Sequence, residues 1–260
     1  MIPFDSVKKF FPSPIRNNAL FAKHMMKEYV QLMVLDFLSA YQCARKMAFI
    51  GGTSLRLVKG IDRFSEDLDF DCKDMSCEEF KQMTYDVLAF LNRNGLNAEA
   101  RDSENTKLKA FRSNIYFPGL LFSLGLSRHK EERFLLKIEC QDQEIAYAAT
   151  TAFVKGCGYF FPITVPPDSV LCSMKLTAML ARSKGRDFYD VMFLLQQTPP
   201  DYGFLSKACG IRDRSELINA IAHLLERVDL TVKHRDCEHL LFVKENSKRI
   251  LHFGDFIKTL

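Results

Sequence analysis

Asp67 and Asp69 stand two residues apart in Asp67-Leu68-Asp69-Phe70-Asp71, where acidic and apolar residues alternate strictly. Alternation with a period of two marks a strand with two chemically distinct faces. On such a strand Asp67 and Asp69 point the same way, while Leu68 and Phe70 point into a core. Two carboxylates held this close repel, and an opposite charge must compensate. A divalent cation does so: Mg2+ (or Mn2+) takes hard oxygen ligands and is typically held by one or two carboxylates together with substrate phosphates. An isolated D-x-D is commonly no more than a solvent-facing strand edge, so the neighbouring residues decide. Asp71 shares the acidic face but lies further along, and is expected beside the site or simply exposed.

The neighbours are informative. Gly51-Gly52-Thr53-Ser54 lies just upstream, between the apolar run Met47-Ala48-Phe49-Ile50 and a helical pattern. Glycines let backbone N–H groups approach a phosphate, a helix start favours an anion, and the hydroxyl of Thr53 or Ser54 would add a donor. Downstream, Glu139 is a polar residue in an otherwise apolar strand pattern. If that strand lies beside the Asp67 strand, three carboxylates converge, the arrangement that two-metal phosphoryl or nucleotidyl transfer uses. Further on, Lys175 and Arg182 are seven apart on one predicted helix and share a face two turns apart. Arg186 and Asp190, four apart, are placed to pair. Cations facing a carboxylate–metal site would neutralise triphosphate and departing pyrophosphate.

The elements that must position these residues follow from the pattern. Residues 19–46 and 78–93 read as helices, and 47–50 as a strand ending at the glycine turn. Leu108 to Ser113, Ile115 to Leu126 and Arg133 to Gln141 read as strands. In the last of these, Phe134, Leu136, Ile138 and Cys140 share one face, and Lys137, Glu139 and Gln141 the other. A glycine- and proline-containing loop is expected over roughly 155–168. Pro166-Pro167-Asp168-Ser169 signals a helix start capped by Asp168 or Ser169, and the chain beyond Val170 is predicted to be mainly helical. The organisation expected is therefore α+β: a core with a mixed sheet and N-terminal helices over 1–165, then a helical domain over 166–260.

With 260 residues and no shortage of apolar ones, the chain can bury a core without staples. It has 23 phenylalanines and no tryptophan, so phenylalanine should dominate the packing. The 36 basic and 32 acidic residues leave a net charge of +4, which permits an RNA or nucleotide partner without demanding one. The eight cysteines form no C-x-x-C pair, and several sit in apolar runs, as reduced buried thiols do. The N-terminus lacks a signal-peptide layout and no apolar run approaches the ~20 residues of a membrane span, so the expected location is cytoplasmic, with no membrane partner. His234 and His239 have the spacing of half a zinc finger, but the other half is missing; they read as part of a polar helix or loop.

Three stretches taken together resemble one family. They are Phe49-Ile50-Gly51-Gly52-Thr53-Ser54-Leu55; Arg63-Phe64-Ser65-Glu66-Asp67-Leu68-Asp69-Phe70-Asp71; and Lys175-Leu176 with Arg182 and Lys184-Gly185-Arg186-Asp187-Phe188-Tyr189-Asp190. The combination, spanning roughly residues 45 to 195, is similar to the AbiEii/AbiGii-type nucleotidyltransferase toxins of type IV-like toxin–antitoxin and phage-defence pairs. The resemblance implies a polymerase-beta-like nucleotidyltransferase core with a helical C-terminal part. It implies transfer of a nucleoside monophosphate from an NTP to an RNA acceptor, the tRNA 3′ end foremost, with release of pyrophosphate and a block of translation. A cognate antitoxin protein is the implied partner. By motif, Gly51, Gly52, Thr53 and Ser54 would contact phosphates, Asp67 and Asp69 would hold metal, and Glu139 would fit a third carboxylate. Lys175 would contact the triphosphate with Arg182 and Arg186 nearby, and Asp187 or Asp190 would fill a downstream acidic position. The alternatives are a small-molecule or protein hydroxyl as acceptor, or an inactive nucleotide- or RNA-binding module.

Overall fold

The computed structural model describes residues 3–101 and 110–259. Its contacts divide the chain into two units. The first holds the chain to Lys59, Phe64–Gln143 and Thr151–Val165; the second holds Gly60–Arg63, Glu144–Thr150 and the chain from Pro166.

The first unit is built on a mixed five-stranded sheet. Its strands are β1 (Met47–Ile50), β2 (Leu68–Cys72), β3 (Glu99–Ala100), β4 (Phe111–Tyr116) and β5 (Leu135–Gln141). They lie in the order β1-β2-β5-β4-β3. Only the β2–β5 pair is parallel; the other three are antiparallel. The register sorts side chains by chemistry. Leu68 pairs with Ile138 and Phe70 with Cys140, forming the buried face. The intervening row runs Ile50–Asp69–Glu139–Arg112 across four strands. Helix α1 (Ala22–Ser39) buries Met25, Met26, Val30, Leu32, Val34 and Leu35. Buried residues on every side mark a helix inside its unit rather than on the surface. Helix α2 (Gly51–Leu57) follows β1 directly, and Arg56 on it pairs with buried Glu28 of α1 at 2.8 and 3.1 Å. Helix α3 (Cys77–Arg93) opens with a reciprocal capping box between Ser76 and Glu79.

Two parts depart from the expected elements. The strands expected over Leu108–Ser113 and Ile115–Leu126 are a single strand, Phe111–Tyr116, followed by a helical turn over Leu120–Ser123; residues 108 and 109 lie outside the described ones. Pro118 cannot donate to a ladder, and Gly119 takes a left-handed φ of 65°, so the extended run cannot continue. The loop expected over 155–168 is mostly a hairpin of β6 (Thr150–Gly156) and β7 (Tyr159–Val165). Its turn residues Cys157 and Gly158 have φ of 49° and 87°, the left-handed pair that matches the twist of the flanking strands. Phe153 and Phe160 stack across it, centroids 5.3 Å apart, a cross-strand contact of the kind that fixes register.

The second unit is helical beyond Pro166, with α4 (Asp168–Arg182), α5 (Gly185–Leu195), α6 (Tyr202–Cys209), α7 (Arg214–Leu225) and α8 (Leu230–Cys237). The cap of α4 is Pro167, not Asp168 or Ser169, and it offers no side-chain oxygen; Asp168 occupies the first turn instead, where its charge suits the helix dipole. Phe49, Phe64 and Phe117 in the first unit, and Phe188 and Phe253 in the second, are fully buried, but buried leucines outnumber buried phenylalanines, so phenylalanine shares the packing instead of dominating it. All eight cysteines are free thiols, five of them buried. No helix among the described residues is long and apolar enough to cross a membrane.

The hairpin turn gives a direct test. A Cβ at Gly158 would meet only Phe10, at ordinary contact distance, so Gly158→Ala should cost about 1 kcal/mol through its backbone conformation alone. Urea unfolding should show that loss without a change in the denaturant slope; unchanged stability would contradict the turn as described.

Candidate active site

The acidic pair is positioned from both ends of β2. The approach to it, Phe64–Glu66, is pinned to the first unit. Phe64 is fully buried against Phe11, Phe21 and His24, and Gln31 of α1 donates to the Ser65 carbonyl at 3.1 Å. Asp67 then sits one residue before β2, where the Thr53 hydroxyl donates to its main-chain carbonyl. Asp69 follows two residues on, facing the start of α2, since its antiparallel partner Ile50 is the residue before Gly51. That approach is so close that a Cβ at Gly51 would overlap the Asp69 carboxylate, and Gly51 also takes a φ of 78°. Glycine is required there on both counts. At the far end, Asp71 is neither exposed nor lining the site: it is 2% exposed and accepts from the Gln143 N–H at 2.9 Å, capping the chain as it leaves β5.

Two expected roles change with the geometry. Thr53 and Ser54 are buried, and the Thr53 hydroxyl braces Asp67 instead of facing a ligand. The N–H groups of Gly51 and Gly52 stand at the first turn of α2, where backbone donors have no intrahelical acceptor. Glu139 does pair in register with Asp69, but its carboxylate is turned to the next strand. Arg112 reaches Glu139 Oε2 at 2.8 Å from Nε and at 2.7 Å from a terminal nitrogen. Lys137 Nζ lies 3.5 Å from the same oxygen and 3.1 Å from Asp67 Oδ2. Among the described residues no three His, Cys, Asp or Glu side chains converge as a metal site. Glu139 is thus engaged by two strand cations, Arg112 and Lys137. What remains is a pair of hard-oxygen donors, Asp67 and Asp69, and one ammonium already standing against Asp67. That donor set fits a divalent cation completed by substrate phosphates and water.

In the second unit the downstream residues form two buried ion clusters. Asp190 is fully buried and takes Arg63 through both oxygens, at 2.7 and 2.8 Å, and Lys175 at 2.8 Å. Arg186 is not its partner, contrary to expectation: helical spacing allows that pair, but both Asp190 oxygens are already taken. Asp187, also fully buried, receives Arg182 at 2.7 and 3.0 Å and the Lys184 N–H at 3.2 Å, capping α5. Lys175, expected to contact the triphosphate, is only 7% exposed and pairs with Asp190. Gly185 has a packing reason: a Cβ there would overlap the Lys233 carbonyl, and its N–H donates to Asp236 at 3.0 Å. Tyr189 donates to Asp62 at 2.7 Å, and Asn246 to the other Asp62 oxygen at 2.8 Å.

Three residues of these clusters were not singled out from sequence. Arg63 opens one of the family-like stretches but lies among polar residues, Asp62, Ser65 and Glu66, so nothing local marked it as buried. Lys137 was assigned to the Glu139 face without a role, and Arg112 gave no sign, since its contact depends on which strand lies next to β5.

Against this geometry, residues 34–216 match the family model described as nucleotidyl transferase AbiEii toxin, type IV TA system. No curated protein matches the chain. Among solved structures, MenT4, a nucleotidyltransferase toxin from Mycobacterium tuberculosis, superposes with a TM-score of 0.60 at 16% identity, covering 100% of this chain and 91% of that one. JHP933 from Helicobacter pylori superposes with a TM-score of 0.55 at 17% identity, covering 91% and 90%.

Asp190 gives the sharpest test of the second unit. Burial alone would raise its carboxyl, but the Arg63 guanidinium and Lys175 ammonium outweigh that and hold it below the usual range. A depressed folded-state value contributes stability above the unfolded value of about 3.9, lost as pH falls through the folded one. Asp190→Asn leaves two buried cations uncompensated and should cost about 3–5 kcal/mol. Urea unfolding across pH should show that gap constant near neutrality and closing only below about pH 4; a gap that closed between pH 8 and 6 would contradict the assignment.

Proposed function

Because the chain belongs to the AbiEii nucleotidyl transferase toxin family, and is thereby a nucleotidyltransferase of toxin type, we propose that it transfers a nucleoside monophosphate from an NTP to the 3′ end of an RNA, with tRNA the first candidate. The observation that carries the reading is the approach of Gly51 to Asp69, which sets a backbone able to meet phosphate directly beside a carboxylate pair.

In this reading Asp67 and Asp69 hold Mg2+ or Mn2+. When bound, such an ion supplies Lewis-acid stabilisation of the transferring phosphoryl group and orients the polyphosphate. The chain's own residues do the rest. Thr53 and Gln31 fix the carbonyls on either side of Glu66, so the Asp67 carboxylate is held in place before substrate arrives. The Gly51 and Gly52 N–H groups orient the polyphosphate. The acceptor hydroxyl oxygen bonds to the α-phosphorus as its proton passes to water, the α–β anhydride bond breaks, and pyrophosphate leaves with its charge met by cations. Glu139 is best read as an organiser of Arg112 and Lys137, not a metal ligand. Lys175, Arg182, Asp187 and Asp190 are read as the braces of the second unit; direct nucleotide contact by Lys175 would require its ammonium to exchange Asp190 for phosphate. Arg186, half-buried at the start of α5, keeps its proposed place as a nucleotide-facing cation.

Incubation with each labelled NTP and total RNA tests this. Wild type should label RNA in a divalent-metal-dependent way, and prior periodate oxidation of RNA 3′ ends should abolish the label. Asp67→Asn and Asp69→Asn should each lower incorporation at least ~100-fold, since removing metal stabilisation forfeits several kcal/mol, while melting near the wild-type temperature. Label in protein or small molecules but not RNA would overturn the acceptor; both variants staying active would overturn the site.

A further inference from the structure

The ammonium of Lys137 stands on the acidic face, against Asp67. Its position follows from the register. Leu68 pairs with Ile138 in the parallel β2–β5 ladder, so one step earlier Lys137 falls beside Asp67. Alternation along β5 buries Leu136 and Ile138 completely and leaves the Lys137 side chain 28% exposed on the acidic face. Its Nζ is 3.1 Å from Asp67 Oδ2 and 3.5 Å from Glu139 Oε2.

The two contacts are not equivalent. Glu139 already has Arg112 at 2.7–2.8 Å and does not depend on Lys137 for compensation. Asp67 has Lys137 as its ion-pair partner. A divalent cation binding Asp67 and Asp69 would place two positive charges within a few ångströms of that ammonium, at a site partly screened from water. The ammonium and the cation compete for Asp67, because two cations on one carboxylate repel each other. Lysine sits on a flexible four-carbon stem and moves at little cost, and Glu139 is a second carboxylate within reach of its ammonium.

We propose that Lys137 is an exchangeable counter-ion: it neutralises Asp67 in the metal-free chain and passes to the polyphosphate of the incoming nucleotide when the cation takes Asp67. This rests on the metal-dependent reading above. Its consequence is linkage. Without nucleotide the cation must displace an ammonium that has no better partner; with nucleotide, the ammonium gains one. Metal and nucleotide then assist each other's binding, and the assistance is reciprocal.

Mn2+ titration of the full chain, followed by electron paramagnetic resonance with and without a non-hydrolysable NTP analogue, tests the proposal without turnover. Lys137→Met and Lys137→Gln should each bind Mn2+ alone about five-fold more tightly than wild type, as expected for removing one partly screened charge at this distance. The gain in Mn2+ affinity caused by the analogue should shrink in both. Lys155→Met, which removes an exposed cation from the β6–β7 hairpin, controls for net charge and should leave both quantities within about two-fold of wild type. Thermal melting establishes that each variant is folded; two substitutions of different polarity guard against one that is not. Unchanged or weaker Mn2+ binding in the folded Lys137 variants would overturn the proposal, as would a wild type that binds no Mn2+. The expected Mn2+ pattern without nucleotide incorporation into RNA would uphold the counter-ion while removing the acceptor reading.

Discussion

Two carboxylates leaving one strand in the same direction, roughly 6.6 Å apart along the backbone, repel each other unless something positive lies between or beside them. Most of the first unit serves to hold Asp67 and Asp69 there. Phe64 and Gln31 fix the approach, Thr53 fixes the Asp67 carbonyl, and the buried face of β2 keeps Leu68 and Phe70 in the core. Gly51 is the tightest point: no side chain fits between α2 and Asp69. Lys137 stands against Asp67 as its ion-pair partner, and the proposed divalent cation would compete with that ammonium.

The second unit solves a different electrostatic problem. Asp187 and Asp190 are fully buried, and each is matched by cations in good geometry. Such clusters are weak contributors to net stability compared with apolar packing, but removing one partner is costly because the other is left charged in a poor solvent. They are therefore better understood as devices that specify one arrangement of α4, α5 and the Gly60–Arg63 segment. Gly185 belongs to the same logic, since α8 packs against the start of α5 without room for a methyl group.

Much of this was legible in the sequence because it rests on local periodicity. The alternation at Asp67–Asp71, the strand–glycine–helix at 47–57 and the helical spacing after Val170 each follow from a pattern a few residues long. The shifts came where tertiary partners decide. Glu139 was placed on the correct strand face, yet its carboxylate answers to Arg112 on a strand that no local pattern makes its neighbour. Asp190 could pair with Arg186 by helical spacing, but Arg63, distant in sequence, holds it. The β6–β7 hairpin was hidden because its glycines and proline suggested a loop; the alternation Val154–Gly156 and Phe161–Val165 around Cys157-Gly158 was the available signal.

Asp67 and Asp69, beside Gly51, are proposed as the metal and polyphosphate centre of the nucleotidyltransferase. Anomalous X-ray diffraction from crystals grown with Mn2+ and a non-hydrolysable NTP analogue tests this most directly. The expected result is an anomalous peak bonded to carboxylate oxygens of both Asp67 and Asp69, with the polyphosphate against the Gly51–Gly52 backbone and Lys137 withdrawn from Asp67. An ordered nucleotide with its metal bound elsewhere, and Lys137 still on Asp67, would contradict it.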